Sequence, residues 1–247
     1  MSDRKSTCTT FPPAFVRVWL RRCEKSFPVT TTRAVRDEIN NLLDYLLQAE
    51  IAAYINTVSI TGSRVSWHSH NPNASFLVNR GDPCLRDYQG WVESGAYSAI
   101  LFDGALLQIT YDIEGGQISG HRLAYVPCPY RLDADMVRQD PVLEVVDLHV
   151  QTDPTGIILH SAVRFDYDPE SARPGHPSSH LTINSSNCRI ACAAPMHVGR
   201  FADFIFRHFY SDLWSAHLPY FSTGARREIG SRTLAEEDRS SPHITWS

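Results

Sequence analysis

Eight short segments, 57–67, 74–80, 97–103, 105–112, 117–126, 143–150, 157–167 and 179–184, are rich in β-branched and aromatic residues and are separated by Gly, Pro, Asn or Asp. That pattern predicts consecutive strands. No helical period lies between the segments to make the long crossover that parallel neighbours require, so the expected arrangement is an antiparallel meander. The sharpest hairpin is predicted where YSAILFD meets GALLQITYD, because Asp103-Gly104 can supply the positive φ values of a tight turn. Glu114-Gly115-Gly116 marks the next turn.

Helical periodicity brackets this middle. Residues 34–56 place Val35, Ile39, Leu42, Leu43, Leu46, Ala53 and Tyr54 on one face, with Thr30 to Thr32 offering N-caps. A shorter helix is predicted over 13–25, ended by Pro28. Residues 196–217 carry two adjacent stripes, Phe201, Phe204, Ile205, Phe209 and Leu213 beside Phe206, Tyr210 and Trp214. An apolar surface that wide suits a helix buried on several sides, and the second stripe is a candidate docking face for another protein. The expected fold class is α+β, a mainly antiparallel sheet flanked by an N-terminal helical unit and a C-terminal aromatic-rich helix. Residues 1–221 are read as one domain, with a helical part 11–56, a sheet 57–192 and the helix 196–217. The polar stretch 222–247 reads as a flexible tail or a segment that orders on a partner.

Charge narrows the function classes. Residues 41–170 hold 7 basic and 17 acidic groups, a balance of −10, whereas residues 1–40 hold 8 and 4. An acidic centre argues against a broad nucleic-acid surface on the sheet and confines any such binding to a local basic cleft. No apolar run approaches the roughly 20 residues that a membrane span needs. The N-terminal stretch is interrupted by Arg17, Arg21 and Arg22, and no secretory leader is read there. A cytoplasmic protein with reduced thiols is expected, with no membrane association.

P-loop, dinucleotide-binding, H-E-x-x-H and G-x-S-x-G signatures are all missing, which removes the ATPase, Rossmann, zincin and ordinary hydrolase readings. What remains is the stretch 160–192. Alternation along its first strand puts His160, Arg164 and Asp166 on one side, and along its second His180, Thr182 and Asn184. If these strands pair, one face gathers His160, Arg164, Asp166, His180 and Asn184. Such a set suits acid–base chemistry, since histidine titrates near neutrality and arginine stabilises an oxyanion, and metal-independent RNA cleavage is one reaction it could support. The plainer reading is a wet face of an antiparallel sheet with an Arg164–Asp166 ion pair. The same stretch holds His176, His180, Cys188 and Cys192, formally a two-His two-Cys zinc set, although His176 falls in a loop and Cys-x3-Cys is a poor zinc spacing. No cofactor is expected.

SGAYSAILFDGALLQITYD, HRLAYVPCPYRL, RFDYDP followed by SHLTIN, and FADFIFRHFY together resemble the uncharacterised bacterial domain-of-unknown-function family 2290, mainly over residues 97–220. The resemblance implies a bacterial origin and a shared fold, and no mechanism. Fragments are also similar to small toxins of toxin–antitoxin pairs, which assigns no residue. The function expected is a non-catalytic accessory or interaction subunit, of a phage-defence or restriction-type gene cluster. It would act through the Phe206, Tyr210, Trp214 stripe or the tail. The alternative is a metal-independent nuclease or RNase-like toxin using the His/Arg/Asp cluster.

Overall fold

The computed structural model describes residues 29–68, 84–158, 160–185 and 187–246. The predicted helix 13–25 and strand 74–80 lie outside them. Among the described residues ten strands form one sheet, joined edge to edge in the order β1 (Ala52–Ile55), β4 (Ala99–Leu101), β5 (Leu106–Glu114), β6 (Gln117–Val126), β7 (Val163–Tyr167), β8 (Ser179–Ile183), β9 (Arg189–Cys192) and β10 (His243–Ile244). A hairpin of β2 (Val58–Thr61) and β3 (Arg64–Trp67) joins through β3 to the far half of β5. Every pairing is antiparallel except β9 with β10. The fold is α+β, with the expected antiparallel sheet between N- and C-terminal helices.

Alternation along the strands makes two unlike faces. Leu107, Ile109, Tyr111, Leu123, Phe165 and Leu181 point to one side, where α1 (Thr32–Gln48) and α5 (Val198–Phe209) cover them in a single core. Helix α1 starts as its sequence dictates, with the Thr31 hydroxyl accepting the Ala34 amide at 3.1 Å. Its apolar stripe Val35, Ile39, Leu42, Leu43 and Leu46 is fully buried. On the other side Leu106, Ala124 and Val126 are covered by α2 (Leu85–Glu93), α3 (Ala134–Gln139) and α4 (Val142–Thr152), but only at that end of the sheet. The far half of this second face carries Ser66, Thr110, Asp112 and Arg122 and lines a groove of about 780 Å³.

Several boundaries differ from the sequence expectation for physical reasons. The helix expected to reach residue 56 stops at Gln48, because Glu50 takes a left-handed φ of 57° and Ala52–Ile55 extends to pair with β4. The strand expected over 143–150 is the helix α4. Its β-branched residues suggested extension, but Val142, Val145 and Val146 are spaced to bury one helical face, and burial outweighs local propensity. Segment 57–67 folds back on itself at Gly62, whose φ is 62°. Strand 157–167 begins only at Val163, and helices α2 and α3 were not anticipated.

The C-terminal helix expected over 196–217 is broken at Tyr210 and His217 into α5, α6 (Ser211–Ala216) and α7 (Leu218–Ala225). This lets α7 fold back across α5 at Gly199 and Gly224, where a Cβ on Gly199 would lie 2.7 Å from the Gly224 Cα. The stretch expected as a tail also differs, since α7 continues to Ala225 and several of the described residues beyond it are tied to the rest of the fold. Ile229 is buried, the Thr233 amide donates to the Ala193 carbonyl at 2.9 Å, and β10 pairs with the otherwise open edge of β9. Arg200 lies 5.3 Å over the Trp246 ring.

Candidate functional site

Strands β6, β7 and β8 run in register with Arg122 opposite Asp166 and Asp166 opposite His180, and the next row sets Arg164 opposite Thr182 and Thr182 opposite Arg189 on β9. Three of the four sequence candidates therefore meet. Arg164 Nε donates to Asp166 Oδ2 at 2.6 Å, and His180 Nε2 faces the same oxygen at 3.4 Å. Arg122 Nε stands 3.8 Å from Asp166 Oδ1, beyond hydrogen-bond length. Asp166 and His180 are buried, at 5% and 2% exposure. Burial alone would raise the Asp166 pKa, but the hydrogen bond to His180 and the charge of Arg164 outweigh it and hold the carboxyl below its ordinary range.

His160 does not join them. It is exposed, in the loop before β7, with its amide donating to the Ile158 carbonyl. Asn184 is likewise exposed and left-handed, with φ of 56°. His180 has no nitrogen to spare, because Nδ1 lies 2.8 Å from the Pro177 carbonyl and Nε2 faces Asp166. An acid–base pair of His160 and His180 is thus not assembled, and the Arg164–Asp166–His180 group is a buried ion network.

The sequence reading placed Thr182 on this face but missed Arg122 and Arg189 as members of the patch. Arg122 and Thr182 stand in the correct alternation, but which strand faces which is decided by register, which alternation alone leaves open. His121, one residue from Arg122, points to the helix-covered face and is buried there. Its Nε2 accepts the Met196 amide at 2.8 Å, and burial pushes its pKa down to about 4. His121 is therefore a neutral structural acceptor.

The family model for uncharacterised conserved proteins, DUF2290, matches residues 48–246. The chain belongs to this family. The DUF2290 match extends beyond the 97–220 stretch that carried the resemblance, and it takes in all ten described strands and α2 to α7. No curated protein and no solved structure matches the chain.

Within the DUF2290 region the zinc candidates do not converge. His180 lies on the polar face, and Cys192, next to its cross-strand partner Ala191, points into the opposite, helix-covered core. Burial pushes the Cys192 thiol up to about 12, which disfavours the thiolate that zinc requires. Cys188 is exposed in the turn before β9, while His176 packs edge-on to His180 with ring centres 4.9 Å apart. Among the described residues no group of three or more His, Cys, Asp or Glu is placed to hold a metal ion.

The aromatic docking stripe of this DUF2290 protein is corrected as well. Phe206 is fully buried; Tyr210 donates to Asp103 Oδ2 at 2.8 Å and meets the Tyr125 hydroxyl at 3.0 Å; Trp214 Nε1 donates to Asp203 Oδ1 at 2.8 Å, with Arg207 stacked on its ring. The break at Tyr210 turns the stripe inward, so it supports the fold. Among the described residues no helix is long and apolar enough to cross a membrane. A second charged group, Glu38 with His197 and Arg227 at 2.9 and 3.1 Å, ties α1 to the start of α5. There His197 Nδ1 also caps the helix by accepting the Gly199 amide.

Proposed function

We propose that this protein is a non-catalytic accessory or interaction subunit. The observation that supports this reading is the placement of His180, whose two ring nitrogens both face protein acceptors, while His160 stands apart on an exposed loop. General acid–base chemistry needs a side chain within hydrogen-bond reach of the substrate proton and free to exchange it. Neither histidine, as placed, forms such a pair with the other.

The test is direct. Purified full-length protein incubated with RNA and with DNA, in the presence of a chelator, is expected to leave both intact, and co-expression with the products of neighbouring genes is expected to yield a stable complex on size exclusion. Metal-independent RNA cleavage that His180→Ala abolishes with the fold intact would overturn the proposal in favour of a nuclease that uses His180. The setting we propose is a phage-defence or restriction-type gene cluster. A nuclease or ATPase gene beside this one supports that setting, and a lone small antitoxin-like gene counts against it.

A further inference from the structure

The row Arg164, Thr182, Arg189 crosses β7, β8 and β9 in register beside the Asp166 network. Thr182 is 3% exposed, yet its hydroxyl has no hydrogen-bond partner, and the buried Nε of Arg189 has none either. Diagonally across, Asp166 Oδ1 is the third such atom. Folded chains seldom leave buried donors and acceptors unpaired. Three together, two able to donate and one only to accept, point to a group that the polypeptide does not supply.

The charge balance identifies its class. Arg122 and Arg164 share one carboxylate, Asp166, and Arg189, in the row beside it, has no carboxylate at ion-pair distance among the described residues. His176, packed against His180, registers the excess: burial first, then the charges of Arg189, His180 and Arg173, hold it below its ordinary pKa. Asp168 and Glu170 lie in the groove on the far side of Asp166 from Thr182, and Asp112 beside them is engaged by Arg64 at 2.8 Å. Arg122, half-exposed, stands between that groove and the patch.

We infer that Thr182, Arg189 and Asp166 bind a small phosphate group, either inorganic phosphate or the phosphate of a monoester. Its anionic oxygens accept from the Arg189 Nε–H and the Thr182 hydroxyl, and it binds in the protonated form that dominates below its second pKa of about 6, whose P–OH donates to Asp166 Oδ1. The carboxylate selects this class, since a sulfate or a phosphodiester has no proton to offer and would set its oxygens against Asp166. The inference is independent of the proposed function: an interaction protein and a nuclease could each carry such a site.

Calorimetric titration of the full chain at constant ionic strength tests it, with inorganic phosphate and a 5′-mononucleotide as ligands and sulfate and dimethyl phosphate as controls. Saturable binding of phosphate or the mononucleotide is expected, with neither control binding. Tighter binding of the mononucleotide identifies a larger monoester as the ligand, and equal binding identifies free phosphate. Thr182→Val should weaken binding about 5-fold, the share of one neutral hydrogen bond. Arg189→Gln should weaken it about tenfold or more, as expected for a charge-assisted one. Without ligand, Thr182→Val should raise Tm, because a methyl replaces an unpaired buried hydroxyl. No saturable binding at millimolar phosphate, equal binding of sulfate, unchanged affinity in both variants, or a lowered Tm in Thr182→Val would each overturn the inference.

Discussion

The helix-covered and polar faces of the sheet are made by the same strands, residue by alternate residue, and they keep their titratable groups in opposite states. On the covered face His121 packs against Tyr111 and Tyr167, and its burial outweighs the charge of Asp166 on the other side of the sheet, so it is held neutral. On the polar face Asp166 is nearly as buried, yet it stays ionised because Arg164 and His180 are placed on it. Burial does not by itself decide protonation. The partners that the register brings across the strands decide it.

The largest test of that contrast is Asp166→Ala. It leaves the part-buried Arg164 and the buried His180 without their shared acceptor, and removing one side of a buried ion network costs about 3–5 kcal/mol. Denaturant unfolding should show that loss, and a cost below 1 kcal/mol would mean the network is solvated. Next comes pH. The unfolded chain protonates His121 near 6.5 and the folded one only near 4, so its contribution is complete above the unfolded value and is lost as pH falls from 6.5 towards 4. At about 1.4 kcal/mol per pKa unit the swing is about 3 kcal/mol, and thermal melts of wild type and His121→Gln should show the slope in the first and not in the second. Asp166 runs the other way in origin. Its folded pKa is depressed, so its contribution holds above the unfolded value near 3.8 and disappears only as pH falls through the still lower folded value.

A smaller effect tests how the covered face is sealed. Gly199→Ala puts a Cβ against the backbone of Gly224, which cannot yield as a flexible side chain would, and α5 and α7 must separate at a cost of about 1–3 kcal/mol. Tyr210→Phe removes the hydroxyl that donates to Asp103, with an expected loss of about 1 kcal/mol and no change in oligomeric state, because the stripe faces inward. The least effect is expected for Arg64→Gln at the exposed pair with Asp112, below about 1 kcal/mol and smaller still at high salt.

Much of the fold was legible because its cues are local. β6 runs over the residues its pattern marks, 117–126, and β5 and β8 fall within a few residues of expectation, since alternation and Gly-marked turns are written along a single segment. Helix α4 was misread because Val142, Val145 and Val146 satisfy a helix while their branched side chains suggest a strand, and what settled the choice was the sheet end they cover. Of the candidate site, Arg164 and Asp166 could be paired from two adjacent alternate positions. Arg122 and Arg189 could not be added, because they arrive from strands 42 and 25 residues away from Arg164 in the numbering.

By itself the sequence determined that these strands would have one apolar and one polar side, that helices would flank an antiparallel sheet, and that Arg164 and Asp166 would share a face. These follow from side-chain period and need no distant partner. Only the tertiary structure decided that Cys192 and His180 stand on opposite faces, that Tyr210 turns the aromatic stripe inward, that the C-terminal stretch closes the β9 edge, and that both nitrogens of His180 are occupied. Each of those depends on register or on a helix break, and their energies come from contacts between residues far apart in the chain.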